Sequence, residues 1–274
     1  MELCKNCSKQ FEGNFCSFCG QKKYTDKDKS LAHIFEEALH FLTHFEGSFF
    51  TSIKTILFYP GKLAVEYCAG IRKKYYKPIS LFFMVVIIYL LNPMYSGLNQ
   101  ECRYFKDNNV YGSMAKAAIL KKMANASITE NDLMVEYGQK SKSLSKVLLF
   151  VFILSSTVFL SLLYYKQHKW LFDHVILATE INTIFILLIF ILFPLLMLLI
   201  GTIFRIDEDV ISDEFFALIS FIAFFTYNSI AFKTMFKESK IKTILKSLAF
   251  TILHTLFFIF VYRFIVFKVT LWFI

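Results

Sequence analysis

Four cysteines near the N-terminus have the types and spacing of a metal site. Cys4 and Cys7 form one Cys-x-x-Cys pair, and Cys16 and Cys19 form a second after a short turn-rich spacer. Two such pairs present four thiolates tetrahedrally, which is the pattern of a structural zinc ribbon. A redox dithiol or an iron–sulfur cluster is the alternative, but a redox motif usually needs one pair in a βαβ setting. We therefore predict a bound zinc ion.

The chemistry of this site is predicted to be structural rather than catalytic. All four ligands are cysteine, so no position remains open for a substrate. A segment of about 20 residues cannot bury a core, and metal binding would supply its folding free energy. Reduced thiolates also suit the cytosol. The two other cysteines, Cys68 and Cys102, are isolated, and the sequence assigns them no partner.

Polar side chains inside or beside long apolar runs are the second set of candidates, because ionisable groups at membrane depth cost free energy. One interpretation is a pocket between helices that binds a proton, an ion or a head group. The other is interfacial snorkelling and interhelical hydrogen bonding. An enzyme that uses His174 with Asp173 or Glu180 as acid and base is a third. The candidate pocket consists of Asp173, His174, Glu180, Asn182, Asn228 and His254.

The elements that position these groups are predicted to be membrane-spanning helices. Hydrophobic residues make up 56% of the chain and the mean hydropathy is +0.52, whereas soluble domains have about 45–50% apolar residues. A span needs about 20 mostly apolar residues. The predicted fold is an all-α integral membrane protein with five spans, at residues 79–97, 144–165, 181–204, 215–236 and 247–267.

The net charge of +9 is interpreted as a topology signal rather than as a nucleic-acid interface. Excess lysine and arginine usually mark cytoplasmic loops. Basic stretches on alternate connections predict a cytosolic N-terminus and an outside C-terminus, with a long outer loop at 99–143. The cluster before the first span is predicted to contact anionic lipid head groups. It consists of Arg72, Lys73, Lys74 and Lys77.

Short amphipathic helices are expected at residues 30–78, between the ribbon at 1–24 and the bundle at 79–274. They would lie on the inner leaflet or pack under the bundle, and the sequence leaves both open. Pro60-Gly61 interrupts this region. In the outer loop, helices are predicted at 111–125 and 129–137, the second beginning at Thr129 with acidic residues in its first turn.

The stretch from Gly47 to Pro78, with Phe58-Tyr-Pro-Gly-Lys at its centre, resembles an uncharacterised bacterial membrane family of unknown function. The resemblance also includes the ribbon, and it implies a multi-pass protein of the bacterial inner membrane. The family tends to carry further histidines where this chain has Glu180 and Asn182. The resemblance therefore supports an architecture and not a reaction.

Three function classes follow from these observations. The first is a non-enzymatic membrane protein whose ribbon and basic face engage a cytosolic protein partner or lipid head groups. The second is a transporter for a small solute or a lipid that uses the polar groups in the spans. Five spans without an inverted repeat would need a homo-oligomer for transporter symmetry. The third is a membrane-embedded enzyme, and no nucleic-acid partner is expected.

Overall fold

The computed structural model describes residues 2–23, 47–91, 98, 100–108, 110–126, 128–167, 170–204 and 213–274. The helix expected from residue 30 to 45 lies outside the described residues, as do residues 92–97 at the end of the first predicted span. Within the described ranges the chain is helical apart from a small N-terminal sheet.

The N-terminal segment is a miniature antiparallel sheet. Strand β1 (Glu2–Leu3) pairs with β2 (Gln10–Phe11), and an isolated bridge joins Phe15 to Lys22. Its small core consists of Phe11 and the cysteines. The apolar area buried in this core is too small to offset the conformational entropy lost by about 20 residues. This segment therefore needs another source of stability.

Two helices separated by a tight turn follow. Helix α1 (Gly47–Phe58) ends where Pro60 and Gly61 form the turn, and helix α2 (Lys62–Cys68) begins directly after it. Leu63 of α2 is fully buried because α2 packs against two of the long helices described next. Helix α2 is therefore packed into the bundle.

Three helices are long and apolar enough to cross a membrane: Leu171–Ile203, Glu214–Phe236 and Lys240–Phe273. They coincide with the last three predicted spans. The first and third each contain one wider π-helical turn. In chain order the pieces are α8 (Leu171–Phe185), a π turn (Ile186–Leu192), α9 (Phe193–Phe204), α10 (Asp213–Phe236), α11 (Lys240–Leu256), a second π turn (Phe257–Tyr262) and α12 (Arg263–Phe273).

The first two predicted spans are not confirmed as separate crossings. The described part of the first is helix α3 (Pro78–Leu91), which has 14 residues and is about 21 Å long, and residues 92–97 that would complete the span lie outside the described ranges. Helix α7 (Phe150–Leu163) follows α6 (Glu130–Leu148) after a bend of 52°, and only the pair together is long enough. Among the described residues there are three candidate spans, or four if the bent pair is one. The second predicted span was expected to begin at residue 144. In the structure that residue lies within α6, and α7 begins at Phe150.

Large apolar side chains project outward from the candidate spans. Leu198, Ile222 and Leu253 are each 41–53% exposed, and they belong to three different helices. Water-soluble monomers rarely expose contiguous apolar surface on this scale. The outward-facing side chains therefore fit a membrane protein.

The region predicted as an outer loop is a small helical domain. Helices α4 (Cys102–Asp107) and α5 (Gly112–Ala126) pack with α6 and with the C-terminal α12. The rings of Phe105 and Phe267 stack with centroids 4.7 Å apart. As predicted, Thr129 begins α6, and its side chain accepts a hydrogen bond from the Asp132 N–H. This domain and the C-terminus thus lie at one end of the bundle, the C-terminal end.

Three of the basic connections meet at the opposite end, which we call the ribbon end. The Arg72 guanidinium lies 5.4 Å from the Phe172 ring centroid. Gln167 donates a hydrogen bond of 3.0 Å to Glu238, and Lys246 pairs with the same carboxylate at 2.8 Å. These contacts hold the basic connections together at this end of the bundle.

Candidate metal centre and buried polar network

The four predicted ligand sulfurs converge on one point. The Sγ atoms of Cys4 and Cys19 are 3.6 Å apart, as are those of Cys7 and Cys16, and all four lie within 4.8 Å of one another. A tetrahedral ion with bonds of about 2.3 Å would hold its sulfurs about 3.8 Å apart. The cluster therefore has the dimensions and the donor set of a closed metal site.

Each Cys-x-x-Cys pair is shaped by the same backbone turn. The N–H of Ser8 donates to the Cys4 carbonyl at 2.9 Å, and the N–H of Gly20 donates to the Cys16 carbonyl at 2.8 Å. Both residues have left-handed φ angles, +57° for Ser8 and +70° for Gly20. Glycine adopts this conformation without steric cost. The two halves of the ribbon thus repeat one turn.

The environment of Cys19 favours its ionised form. Burial alone would raise the pKa of this thiol. Hydrogen bonds from the Gln21 backbone and the Asn6 side chain outweigh burial and, with the neighbouring thiols, lower the pKa to about 6. A thiolate is the form that ligates a metal.

The side chain of Gln21 attaches the ribbon to the bundle. It is buried, with 6% exposure. Its amide donates to the Gly70 carbonyl at 2.5 Å, and its carbonyl oxygen accepts from the backbone N–H groups of Arg72 and Lys73, each at 3.3 Å. One amide side chain thereby satisfies three backbone groups of the segment after α2. Sequence reasoning did not identify this residue, because a glutamine beside a ribbon carries no periodic signal.

The four predicted head-group residues are in unequal settings. The Arg72 guanidinium lies 5.0 Å from the Tyr67 ring centroid, and the Lys74 ammonium pairs with Glu66 at 2.6 Å. Lys77 is half-buried, and Lys73 and Lys74 are exposed. The lysines, Lys73 above all, are thus better placed than Arg72 to meet an external anion.

Glu66 is held ionised by its neighbours. Partial burial would raise the pKa of this carboxyl. Hydrogen bonds from the Lys74 ammonium and the Tyr75 hydroxyl, helped by the charge of Lys62, outweigh burial and lower the pKa below 4.5.

Glu180 is the most deeply buried predicted carboxylate, with 1% exposure. One of its oxygens accepts hydrogen bonds from the Gly61 N–H at 2.6 Å and the Tyr227 hydroxyl at 2.9 Å. Its other oxygen accepts from the Ala64 N–H at 2.8 Å. The sequence placed Glu180 at a boundary. The structure places it inside α8, which begins ten residues earlier than the predicted span.

Gly61 makes this arrangement possible. It precedes the first residue of α2 and has a φ of +79°. A Cβ atom at this position would lie 2.6 Å from the carbonyl oxygen of Ala231 in α10. The first N–H groups of a helix have no partner within it, so the carboxylate of α8 caps α2 from outside. Those backbone donors were missed by sequence reasoning, because the chain separates them from Glu180 by more than a hundred residues.

Asn182 and His254 form a separate interhelical pair. The Asn182 amide donates to the Ser156 hydroxyl at 2.9 Å, and its oxygen lies 3.0 Å from Nε2 of His254. Both side chains are fully buried. The His254 ring packs against the Phe185 and Phe224 rings at centroid distances of 4.7 and 5.0 Å. This pair joins α7, α8 and α11.

The remaining predicted residues have local roles. Asn228 donates to Thr251 at 3.1 Å between α10 and α11. Asp173 accepts from the Trp170 N–H at 3.3 Å at the start of α8, and the His174 ring stacks on Phe236. Among the described residues the contacts of the six candidates are thus spread over several helix pairs.

Comparison with known proteins gives one partial match. Residues 46–90 match the model of a family described as a protein of unknown function (DUF3667). The matched stretch contains both the Pro60-Gly61 turn and the segment that Gln21 binds. No curated protein and no solved structure matches the chain.

Proposed function

We propose that this chain is a multi-pass protein of the bacterial inner membrane whose zinc ribbon presents a cytosolic docking face to a protein partner. The fixed attachment of the ribbon is the observation that carries the proposal. Gln21 bonds to three backbone groups at the start of the basic segment, and we infer that the ribbon and that segment present one continuous surface. A rigid surface binds a partner at a lower entropy cost than a tethered one.

The outer surface of the ribbon supports a protein as the occupant. Phe15 and Phe18 are 61% and 62% exposed, and Leu3 is 60% exposed. The Lys9 ammonium lies 4.2 Å from the Phe18 ring centroid. Aromatic side chains are enriched in protein interfaces, and Phe15 and Phe18 supply two of them.

Zinc would be held by Cys4, Cys7, Cys16 and Cys19 and would supply the folding free energy of the ribbon. The protein side chains then have three tasks. The cysteines fix the two turns, Gln21 orients them against the bundle, and the exposed aromatic side chains contact the partner. No reaction is assigned to this site.

Transport through the polar groups of the spans is the less favoured function. Glu180, Asn182 and Asn228 each hydrogen-bond to neighbouring protein groups. Interhelical bonds of this kind contribute about 0.6 kcal/mol each on average. These contacts favour a role in holding the helices together, and the same reasoning places a membrane-embedded enzyme last.

Site-specific photo-crosslinking of the full chain in intact cells tests the docking function. The crosslinking residue replaces Phe18 in one version and Leu120, equally exposed at the C-terminal end, in the control. A cytosolic protein should be captured at position 18 only, and Cys16→Ser should abolish the product while Cys68→Ser retains it. Capture of lipid alone at position 18, or the same proteins at both positions, would contradict the proposal.

A further inference from the structure

The C-terminal end of the bundle contains a cavity of about 1010 Å³. It lies where the end of α3 and the start of α7 meet helices α4 and α6. Tyr89, Leu90 and Leu149 contribute to its apolar wall, and they belong to or adjoin the apolar helices α3 and α7. Cavities of this size hold ligands of several hundred daltons. Its wall thus extends from the helical domain to the apolar part of the bundle.

Gly138 indicates that this space is maintained. It lies inside α6 and lines the cavity, and glycine in a helix interior costs about 1 kcal/mol relative to alanine. Close helix packing, the usual reason for such a glycine, does not apply, because a Cβ atom here would meet nothing within 4 Å. The absent side chain leaves this part of the wall open, so a large side chain introduced here would enter the cavity.

The rim of the cavity carries excess positive charge. Arg103 and Lys142 line it together with one carboxylate, Glu101, and all three side chains are exposed. The ion pairs of this domain are Lys106 with Glu130 and Lys140 with Glu136. Within the described ranges neither Arg103 nor Lys142 has a carboxylate partner, so both can bind an anion.

We propose that this cavity binds an anionic phospholipid from the adjoining leaflet. The acyl chain lies along Leu90 and Leu149, and the phosphate lies between Arg103 and Lys142. An apolar wall continuous with the bundle selects a lipid over a soluble anion. The net positive rim selects an anionic head group over a zwitterionic one.

Native mass spectrometry of the full chain tests this site, with equal amounts of phosphatidylglycerol and phosphatidylcholine added in detergent. The wild-type chain should retain phosphatidylglycerol at least tenfold over phosphatidylcholine. Arg103→Gln with Lys142→Gln should abolish this preference. The matched control is Lys116→Gln with Lys121→Gln, which neutralises two exposed lysines of α5 outside the cavity and should preserve it.

Gly138→Leu tests the apolar part, because the new side chain would occupy the cavity. It should reduce retention of both lipids at least tenfold without lowering the thermal stability of the lipid-free chain. Equal retention of the two lipids by wild type and by the double charge variant would overturn the proposal. Displacement of the lipid by glycerol phosphate at equal concentration would also overturn it, since the site would then bind the phosphate alone. The charge variants are exposed and give a result even if Gly138→Leu fails to fold.

Discussion

The backbone N–H of Gly61 donates a hydrogen bond of 2.6 Å to the carboxylate of Glu180, a residue 119 positions further along the chain. The bond joins the turn before α2 to the interior of a candidate span. It gives a buried charge a partner, and it gives an unpaired helix terminus an acceptor. Two groups that would each be costly alone stabilise each other.

Replacing Gly61 by alanine is expected to destabilise the protein. The residue has a φ of +79°, and its Cβ atom would meet Ala231 at 2.6 Å. Strain of this kind costs about 1–3 kcal/mol, which thermal unfolding of the full chain in detergent would measure. Gly47→Ala is the matched control, because nothing lies within 4 Å of its added Cβ atom. Equal effects of the two substitutions would contradict the close approach.

Glu180→Gln should weaken the same contact. The amide nitrogen of glutamine is a donor, and it would face N–H groups that need an acceptor. We expect a loss of about 1–3 kcal/mol in the free energy of unfolding. Tyr227→Phe removes only one of the three bonds and should cost less, about 0.5–1.5 kcal/mol. Should the tyrosine variant prove the less stable of the two, the carboxylate would not be the centre of this network.

Gln21→Ala should detach the ribbon from the helical bundle without releasing its zinc ion. Zinc content is expected to stay the same, since no ligand is changed. Amide hydrogen exchange at Arg72 and Lys73 should speed up, because their N–H groups lose the Gln21 oxygen. Gln10→Ala, at an exposed position of β2, provides the comparison. Unchanged exchange rates at both amides would argue against the attachment.

Cys16→Ser should release the metal. We expect one zinc per chain in the purified protein, and well under half of that in the variant, because three thiolates and one hydroxyl bind zinc poorly. Cys68→Ser should keep full zinc, as it lies outside the cluster. A strong chelator should likewise remove zinc from the wild type and unfold residues 2–23. Iron in place of zinc, or equal loss in both variants, would refute the assignment.

Glu66 should make stability depend on acidic pH. Its pKa in the folded state is lowered below 4.5, so its stabilising contribution is complete above pH 4.5 and is lost as the pH falls through the folded-state value. The melting temperature of Glu66→Gln should therefore lie below that of wild type at pH 7, and the difference should shrink as the pH falls through the folded-state pKa. Glu136→Gln removes an exposed ion pair and should change little at any pH. A difference between Glu66→Gln and wild type that does not shrink on acidification would exclude the carboxylate as its source.

The sequence predicts the features that depend on local patterns. Two Cys-x-x-Cys pairs are enough to foresee the convergence of Cys4 and Cys19, because ligand spacing determines the turns. Continuous apolar runs likewise predict the three long helices. Their starts are less predictable. Helix α8 begins at Leu171 rather than near residue 181, because Asp173 and Glu180 find partners inside the protein and need no water.

Contacts between side chains and backbone groups that are far apart in the chain cannot be predicted from such local patterns. Nothing periodic links Gln21 to Gly70, or Glu180 to Ala64. Two clues were nevertheless present. A glycine after Pro60 followed by a short helix leaves N–H groups in need of an acceptor, and a lone glutamate in an apolar run needs donors. Matching donors that lack an acceptor with buried acceptors that lack a donor would suggest long-range hydrogen bonds of this kind from a sequence.

The repeated turn of the ribbon carries two unlike residues at equivalent places. The Cys4 N–H bonds to the carbonyl of Lys9, as the Cys16 N–H does to that of Gln21, yet only the glutamine side chain faces inward, while Lys9 extends over Phe18 at the surface. The anchor is thus Gln21 of the second half, whereas the exposed face combines Lys9 of the first half with Phe18 of the second. Evolution could re-specify what the module recognises by altering positions 9 and 18, while Gln21 keeps its hold on the helices.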